Sequence, residues 1–282
     1  MKVRKAVIPA AGFGTRFLPV TKTVPKEMLP LIDKPVIQYI VEEAVKSGID
    51  EVVLVTSSSK KPLEDFFDTN YELEANLERT GKNQLLDQVR RITDLANVTY
   101  VRQKHPLGNG HAVLAAKHAV GDEPFVVLWG DDVLLGDPPV ARQLINVAVD
   151  YNGPVVGVRR VAPEDIEKYG ILEVEGIEGR VSRALSVIEK PGRERAPSDL
   201  AQIGGFVLTP GIFDILERTP IGPSGEIYLA DALNVLMNEC DVYAYEFEGT
   251  RYDAGNKIDF LRATIDLALQ DPELGPAVRE YM

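Results

Sequence analysis

Residues 6–29, AVIPAAGFGTRFLPVTKTVPKEML, place Gly12, Gly14, Arg16, Lys22 and Lys26 directly after an apolar run, with Lys34 a little further on. Glycines let backbone N–H groups approach phosphate oxygens closely. An arginine offers a fork for two oxygens and a lysine a point charge for others. The dinucleotide fingerprint does not fit, because its third glycine position is Phe17, and Pro19 and Pro25 prevent an immediate helix. A Gly-Lys-Ser/Thr phosphate loop is absent too. What remains is a long loop that either cradles a polyphosphate or carries solvated cations. Asp131 and Asp132 close a second apolar run, FVVLWGDD. Acids beyond the carboxyl end of a strand face the cleft of an open α/β sheet, and Mg²⁺ takes one or two carboxylates plus phosphate and water. Two surface acids in a turn is the alternative. Lys190 stands before Pro191, either on an anion or as a solvated turn residue. His111 and His118 are seven apart, with no third metal ligand suggested nearby.

These residues need a frame. Residues 5–11 read as a strand, 34–48 as a helix with Val36, Ile37, Ile40, Val41, Ala44 and Val45 on one face, and 51–57 as a strand. Residues 63–68 and 72–96 read as helical, broken near Gly81 and Asn83. Then come a strand at 98–103, a helix at 110–120 and a strand at 124–132. Continuous apolar strands separated by helices predict an α/β fold of Rossmann type, with a mostly parallel central sheet covered on both faces. From about residue 150 the pattern becomes strand-rich, with a hairpin at 173–181 turning near Gly176 and Gly179. A helix is expected at 226–239, a strand at 241–249 and a last helix at 257–271. One domain is expected: an α/β half over about 1–150, a β-rich half over about 151–255, and a terminal helix within 256–282. That helix is more apolar than a solvent-facing one needs.

The chain has 282 residues, 45% of them hydrophobic, and a formal net charge of −12. So acidic a surface argues against nucleic acid and anionic membranes as partners. No apolar run approaches the ~20 residues of a membrane span. One cysteine, Cys240, excludes an internal disulfide and fits a reducing cytoplasm; it reads as a small buried residue on a helix.

The opening motif, PAAGFGTRFLPVTKTVPKEMLPLIDKPVIQYIVEEAVKSGI, resembles the signature of the bacterial UTP–glucose-1-phosphate uridylyltransferases, within the sugar nucleotidyltransferases. QKHPLGNGHAVLAAK, VVLWGDD, KYGILE, VIEKP, GGFVL, GEIYLADA and RYDAGNK follow in the same order, so the resemblance runs from residue 6 to about 257. It implies attack by glucose 1-phosphate on the α-phosphorus of UTP, giving UDP-glucose and pyrophosphate with Mg²⁺ and no covalent intermediate. The nucleophile is already an anion, so no general base is required, and positioning plus electrostatics carry the reaction.

By the same resemblance, Arg16 and Lys26 serve the leaving pyrophosphate and Lys190 the sugar phosphate. Ala11, Gly12 and Gly14 pass the nucleotide, and Glu27 either contacts it or fixes the loop. Gln103 and Gly108 meet the base edge. A glutamine there donates to one base carbonyl and accepts from the ring N–H, which favours uracil or thymine. Tyr169, Gly170, Glu189 and Gly205 line the sugar pocket. Glu226 either reaches the sugar or caps the helix it begins. Asp131 and Asp253 hold the metal, and Asp132 orients the loop. A homodimer or homotetramer is implied. The sequence departs from the usual wording at Asn109, Trp129, Phe206, Tyr228 and Ala230, none a proposed phosphate ligand. Thymidylyl transfer, a nucleotide-sugar glycosyltransferase and a non-catalytic nucleotide-sugar sensor are the competing readings.

Overall fold

The first strand, β1 (Lys5–Pro9), alternates its side chains between two cores: Ala6 and Ile8 pack on one face of the sheet, Val7 on the other. The computed structural model in which this is seen describes residues 1–282, the side chains of residues 177 and 178 apart. After β1 the chain runs through a long loop to a small hairpin of β2 (Pro30–Leu31) and β3 (Lys34–Pro35), so the helix starts at Val36 and not at residue 34. That helix, Val36–Lys46, lays Ile37, Ile40, Val41 and Ala44 on the first core. β4 (Glu51–Thr56) pairs parallel with β1, and β5 (Asn97–Arg102) parallel with β4. Between them the charged stretch forms helices Tyr71–Arg79 and Asn83–Thr93, broken at Gly81 as its glycine predicts.

Two expected elements are divided. The helix at 110–120 is two pieces, Asn109–Ala115 and Lys117–Val120. The strand at 124–132 ends early: β6 (Phe125–Val127) stops, residues 128–131 turn, and Asp132 opens a new strand, β7 (Asp132–Leu135). The turn is tight because Gly130 crosses β1, where an added Cβ would stand 2.8 Å from the Pro9 carbonyl oxygen.

The β-rich half extends the same sheet. β8 (Val155–Arg160) is followed by a hairpin of β9 (Gly170–Glu178) and β10 (Val181–Glu189), then by β11 (Leu200–Leu208) and β12 (Val242–Glu246). The nine strands lie in the order β5-β4-β1-β6-β11-β8-β12-β10-β9. Only β11 and β10 run against the rest, so the sheet is parallel in its main direction despite several antiparallel contacts. Helices cover both faces. Val36–Lys46 and Val140–Asp150 pack on one, and Asn109–Ala115, Gly211–Arg218 and Leu229–Glu239 on the other. Cys240 is exposed and ends that last helix as its C-cap; it is not the buried residue expected. The chain closes with β13 (Thr250–Asp253), which pairs antiparallel with β7, and the helices Lys257–Gln270 and Gly275–Tyr281.

Candidate active site

The loop after β1 folds through three single 3₁₀ turns, because Pro19 and Pro25 forbid anything longer. Gly14 has φ +65°, and a Cβ there would press on Lys26 Cβ at 3.2 Å and Thr21 Cγ2 at 3.3 Å. Thr21 Oγ1 donates to the Gly14 carbonyl at 2.8 Å. The glycines thus let the loop close over the Lys26 side chain, whose ammonium donates to Asp131. Burial works to lower the Lys26 pKa, but Asp131, with Glu27 and Asp253 adding to it, more than offsets this and the net shift is upward. Burial likewise works to raise Asp131, Lys26 outweighs it, and that carboxyl stays below its usual value. Arg16 remains exposed, with Nη1 4.0 Å from Asp253 Oδ2.

Asp131 and Asp253 come from distant parts of the chain. Their meeting follows from the β7–β13 register, which sets Asp132 opposite Asp253, and from Ala254 N–H donating to the Asp131 carbonyl at 2.8 Å. A Cβ built on Gly255 would lie 2.5 Å from Asp131 Oδ2 and 2.9 Å from Asp253 Oδ1. Both carboxylates therefore converge on a space that a side chain would fill. Burial raises the Asp253 pKa, with Asp131 adding to it. No cluster of three or more His, Cys, Asp and Glu side chains able to hold a metal exists among the described residues. Two hard oxygen donors suit a divalent cation that takes its other ligands from phosphate and water. Asp132 turns away, is buried, and accepts from Arg251 Nη2 at 2.6 Å. Burial pushes its carboxyl up to about 6, with Arg251 opposing. Arg251 Nη1 also donates to the Tyr169 hydroxyl at 3.1 Å, so one guanidinium joins the acidic ribbon to the β-rich half.

A cavity of about 590 Å³ gathers Gly12, Gly14, Arg16, Lys26, Gly108, Asp131, Glu189, Lys190 and Glu226. Ala11 and Gln103 line its continuation beyond Phe13. A neighbouring groove is lined by Arg16, Tyr169, Lys190 and Asp253. Lys190 has φ +46°; its N–H donates to the Tyr169 carbonyl at 3.1 Å, and its ammonium is 3.6 Å from Glu189. Glu189 accepts from Gln202 at 3.2 Å and is raised by burial.

Three expected contacts are not brought to the cavity. Glu27 is fully buried below the loop, where Lys60 donates to its Oε2 at 2.6 Å; it props the loop that Lys26 enters. Gly205, φ +110°, is buried in the sheet, where a Cβ would stand 2.6 Å from the Val127 carbonyl oxygen. Gly170 is buried, and a Cβ there would strike Gln202. Glu226 lines the cavity without capping its helix. Leu229 N–H, at the helix start, instead donates to Asn109 Oδ1 at 2.9 Å. Trp129 meets the Phe206 ring edge-on at 5.8 Å, and Tyr228 shares a hydrogen bond with Ser224. Sequence reasoning missed Lys60 and Arg251. Lys60 looks like one of two lysines in a polar loop, and only the depth of Glu27 reveals it. Arg251 directly precedes the RYDAG tyrosine, so its place in a matching motif was the available signal.

The nucleotidyl transferase family model matches residues 5–270. The chain is 49% identical over 281 residues to the UTP–glucose-1-phosphate uridylyltransferase YngB of Bacillus subtilis, covering 100% of this chain and 95% of that one. Among solved structures, a UTP-bound UGPase from Acinetobacter baumannii aligns with TM-score 0.93 at 38% identity, covering 99% of this chain and 98% of that one. A UDP-glucose pyrophosphorylase complexed with UDP-glucose aligns with TM-score 0.88 at 41% identity, covering 96% of this chain and 100% of that one.

Proposed function

The chain belongs to the nucleotidyl transferase family and, within it, to the UTP–glucose-1-phosphate uridylyltransferases, and from that premise we propose how its own residues make UDP-glucose. A phosphate oxygen of glucose 1-phosphate attacks the α-phosphorus of UTP. The bond from that phosphorus to the bridging oxygen breaks, and pyrophosphate leaves. No proton has to be removed from the nucleophile, which accounts for a site without a histidine or cysteine nucleophile. The task is to bring two polyanions together in line and to hold the charge that moves to pyrophosphate.

Arg16 and Lys26 take the β- and γ-phosphate oxygens, and Lys190, lining the same cavity, takes the sugar phosphate. Asp131 and Asp253 would hold a divalent cation, Mg²⁺ in this reading, which neutralises phosphate oxygens and tightens the triphosphate geometry when bound. Arg251 keeps Asp132 out of the cavity and fixes the Tyr169 hydroxyl. Gln103 meets the base, and Glu189 and Glu226 accept sugar hydroxyls. The observation that carries this reading is the pairing of Lys26 with Asp131 and of Arg16 with Asp253 beside a cavity that Lys26, Asp131, Arg16 and Lys190 line together. Ile258, Leu261 and Ile265, exposed on the Lys257–Gln270 helix, support assembly into a homo-oligomer, read by light scattering.

A coupled pyrophosphate assay tests the reaction. Pyrophosphate should appear only when UTP, glucose 1-phosphate and Mg²⁺ are present together. Free UDP in its place would indicate glycosyl transfer. Binding of UDP-glucose without exchange of labelled pyrophosphate into UTP would indicate a sensor. UTP and dTTP in direct competition should favour UTP, and a preference for dTTP would reassign the nucleotide.

A further inference from the structure

Gln103 lies just past β5, where its backbone N–H continues the strand by donating to the Thr56 carbonyl at 2.9 Å. Its side-chain nitrogen lies 3.0 Å from the Gly108 carbonyl oxygen and 3.0 Å from His111 Nδ1. A carbonyl oxygen only accepts, so the amide group facing Gly108 is the NH₂ and the orientation of the side chain is determined. Both amide hydrogens are then spent inside the protein. The His111 nitrogen that meets one of them carries a lone pair, so the ring is neutral with its proton on Nε2. Burial, with His105 adding to it, lowers the His111 pKa and keeps the ring in that form. What Gln103 offers the cavity it lines is Oε1, an acceptor with no hydrogen to give. The two-sided contact with a base that the glutamine alone allows is therefore closed off.

We propose that His111 is a specificity-positioning residue: by holding the Gln103 amide nitrogen, it leaves that side chain only an acceptor to offer, one that takes a pyrimidine with a ring N–H and rejects cytosine. Uracil and thymine present N3–H to Oε1; cytosine presents a lone pair at N3, and two acceptors repel. For cytosine to bind well, Gln103 would have to turn over and abandon both internal partners. The anchors are rigid. Gly108 has φ +96° and opens the Asn109–Ala115 helix, with a Cβ position only 2.8 Å from the Ile227 carbonyl oxygen. Gly110 N–H donates to that same oxygen at 2.9 Å, and His111 is the next residue. The inference rests on the reading above that the base of UTP meets Gln103.

The test compares UTP with CTP in wild type, His111→Leu, His111→Asn and Gln103→Ala, with KM and kcat read separately. His111→Leu removes one of two anchors, and the UTP-over-CTP ratio of kcat/KM should fall about five- to tenfold, the worth of one ordinary hydrogen bond, with the loss in KM. His111→Asn offers Oδ1 near the place of Nδ1 and should recover the ratio to within about twofold. An unchanged ratio in His111→Leu, alongside a lost UTP preference in Gln103→Ala, would overturn the role of His111 and leave the base placement standing. An unchanged preference in Gln103→Ala would overturn the base placement, and the inference with it. Long-range ¹H–¹⁵N spectra of the wild-type enzyme give an answer independent of any variant: a proton on Nδ1 of His111 would refute the arrangement, and a bare Nδ1 is expected.

Discussion

Replacing Lys60 by methionine should destabilise the fold beneath the loop that carries Lys26, and by a calculable amount. Glu27 is 0% exposed and Lys60 3%, with 2.6 Å between their charged atoms. The other Glu27 oxygen, Oε1, has no hydrogen-bond partner, so Lys60 is the main support of that carboxylate. Losing one member of such a pair costs about 3–5 kcal/mol, because the survivor stays buried and uncompensated. At a urea dependence of roughly 3 kcal/mol/M, the midpoint should drop by about 1–1.7 M. The joint replacement Glu27→Leu with Lys60→Met removes both charges and should return most of that loss, since an apolar pair of similar volume is often neutral or better. The pH dependence adds a check. In Lys60→Met, burial holds the Glu27 pKa above its usual 4.5 with Lys26 the only cation left to oppose it. A raised carboxyl favours the protonated fold, so stability is lost as pH rises above the unfolded value, and the variant should be less impaired at pH 5 than at pH 8. Urea melts of Lys60→Met, of Glu27→Leu and of the double variant at both pH values decide the matter. A Lys60→Met loss below 1 kcal/mol, or a double variant as weak as the sum of the singles, would refute a buried pair propping the loop.

Other outcomes follow from the same geometry. Asp131→Asn and Lys190→Ala should each lose about 10²–10³ in kcat with unchanged circular dichroism, the usual scale for removing one electrostatic group from a reacting centre, measured by pyrophosphate release. Gly108→Ala would force a side chain onto Glu226 Cβ and the Ile227 oxygen, both at 2.8 Å and at positive φ, and should destabilise by roughly 1–3 kcal/mol in urea melts. Asp132, pushed up to about 6 from a usual 3.8, binds a proton in the fold where the unfolded chain has lost it. Its contribution should make stability fall as pH rises between about 4 and 6. Asp132→Asn should flatten that slope in urea midpoints across the interval; an unchanged slope would assign it elsewhere.

The parts of this molecule that were legible in the sequence obey local rules. β1, β4 and the Val36–Lys46 helix announce themselves by period, and the phosphate loop by its glycines, prolines and cations. What stayed hidden depends on partners far along the chain. FVVLWGDD reads as one strand because nothing local shows that Gly130 must pass under Pro9 and turn the chain. Nothing in the period of the Val36–Lys46 helix marks Glu43, yet it is buried, its carboxylate accepting the Ala141 N–H at 2.8 Å. Glu27 beside Lys26 could serve loop or ligand until depth decided between them. Gly205 matched a sugar-lining motif, while its conformation is demanded by a neighbouring strand. Gln103 stood in a matching motif and does line a cavity, but which way its amide faces depends on Gly108 and on His111, eight residues away on a different element.

The ribbon that pairs Asp132 with Asp253 has a consequence for the way the enzyme comes into being. The phosphate loop lies within the first thirty residues, but its acidic counterpart is complete only after residue 253 has found residue 132. A chain still being made on the ribosome therefore emerges with its cations first and without the means to grip a metal–triphosphate. Such a distant closure comes late in folding. The two acids would thus be brought together only once β13 has been made and has paired with β7.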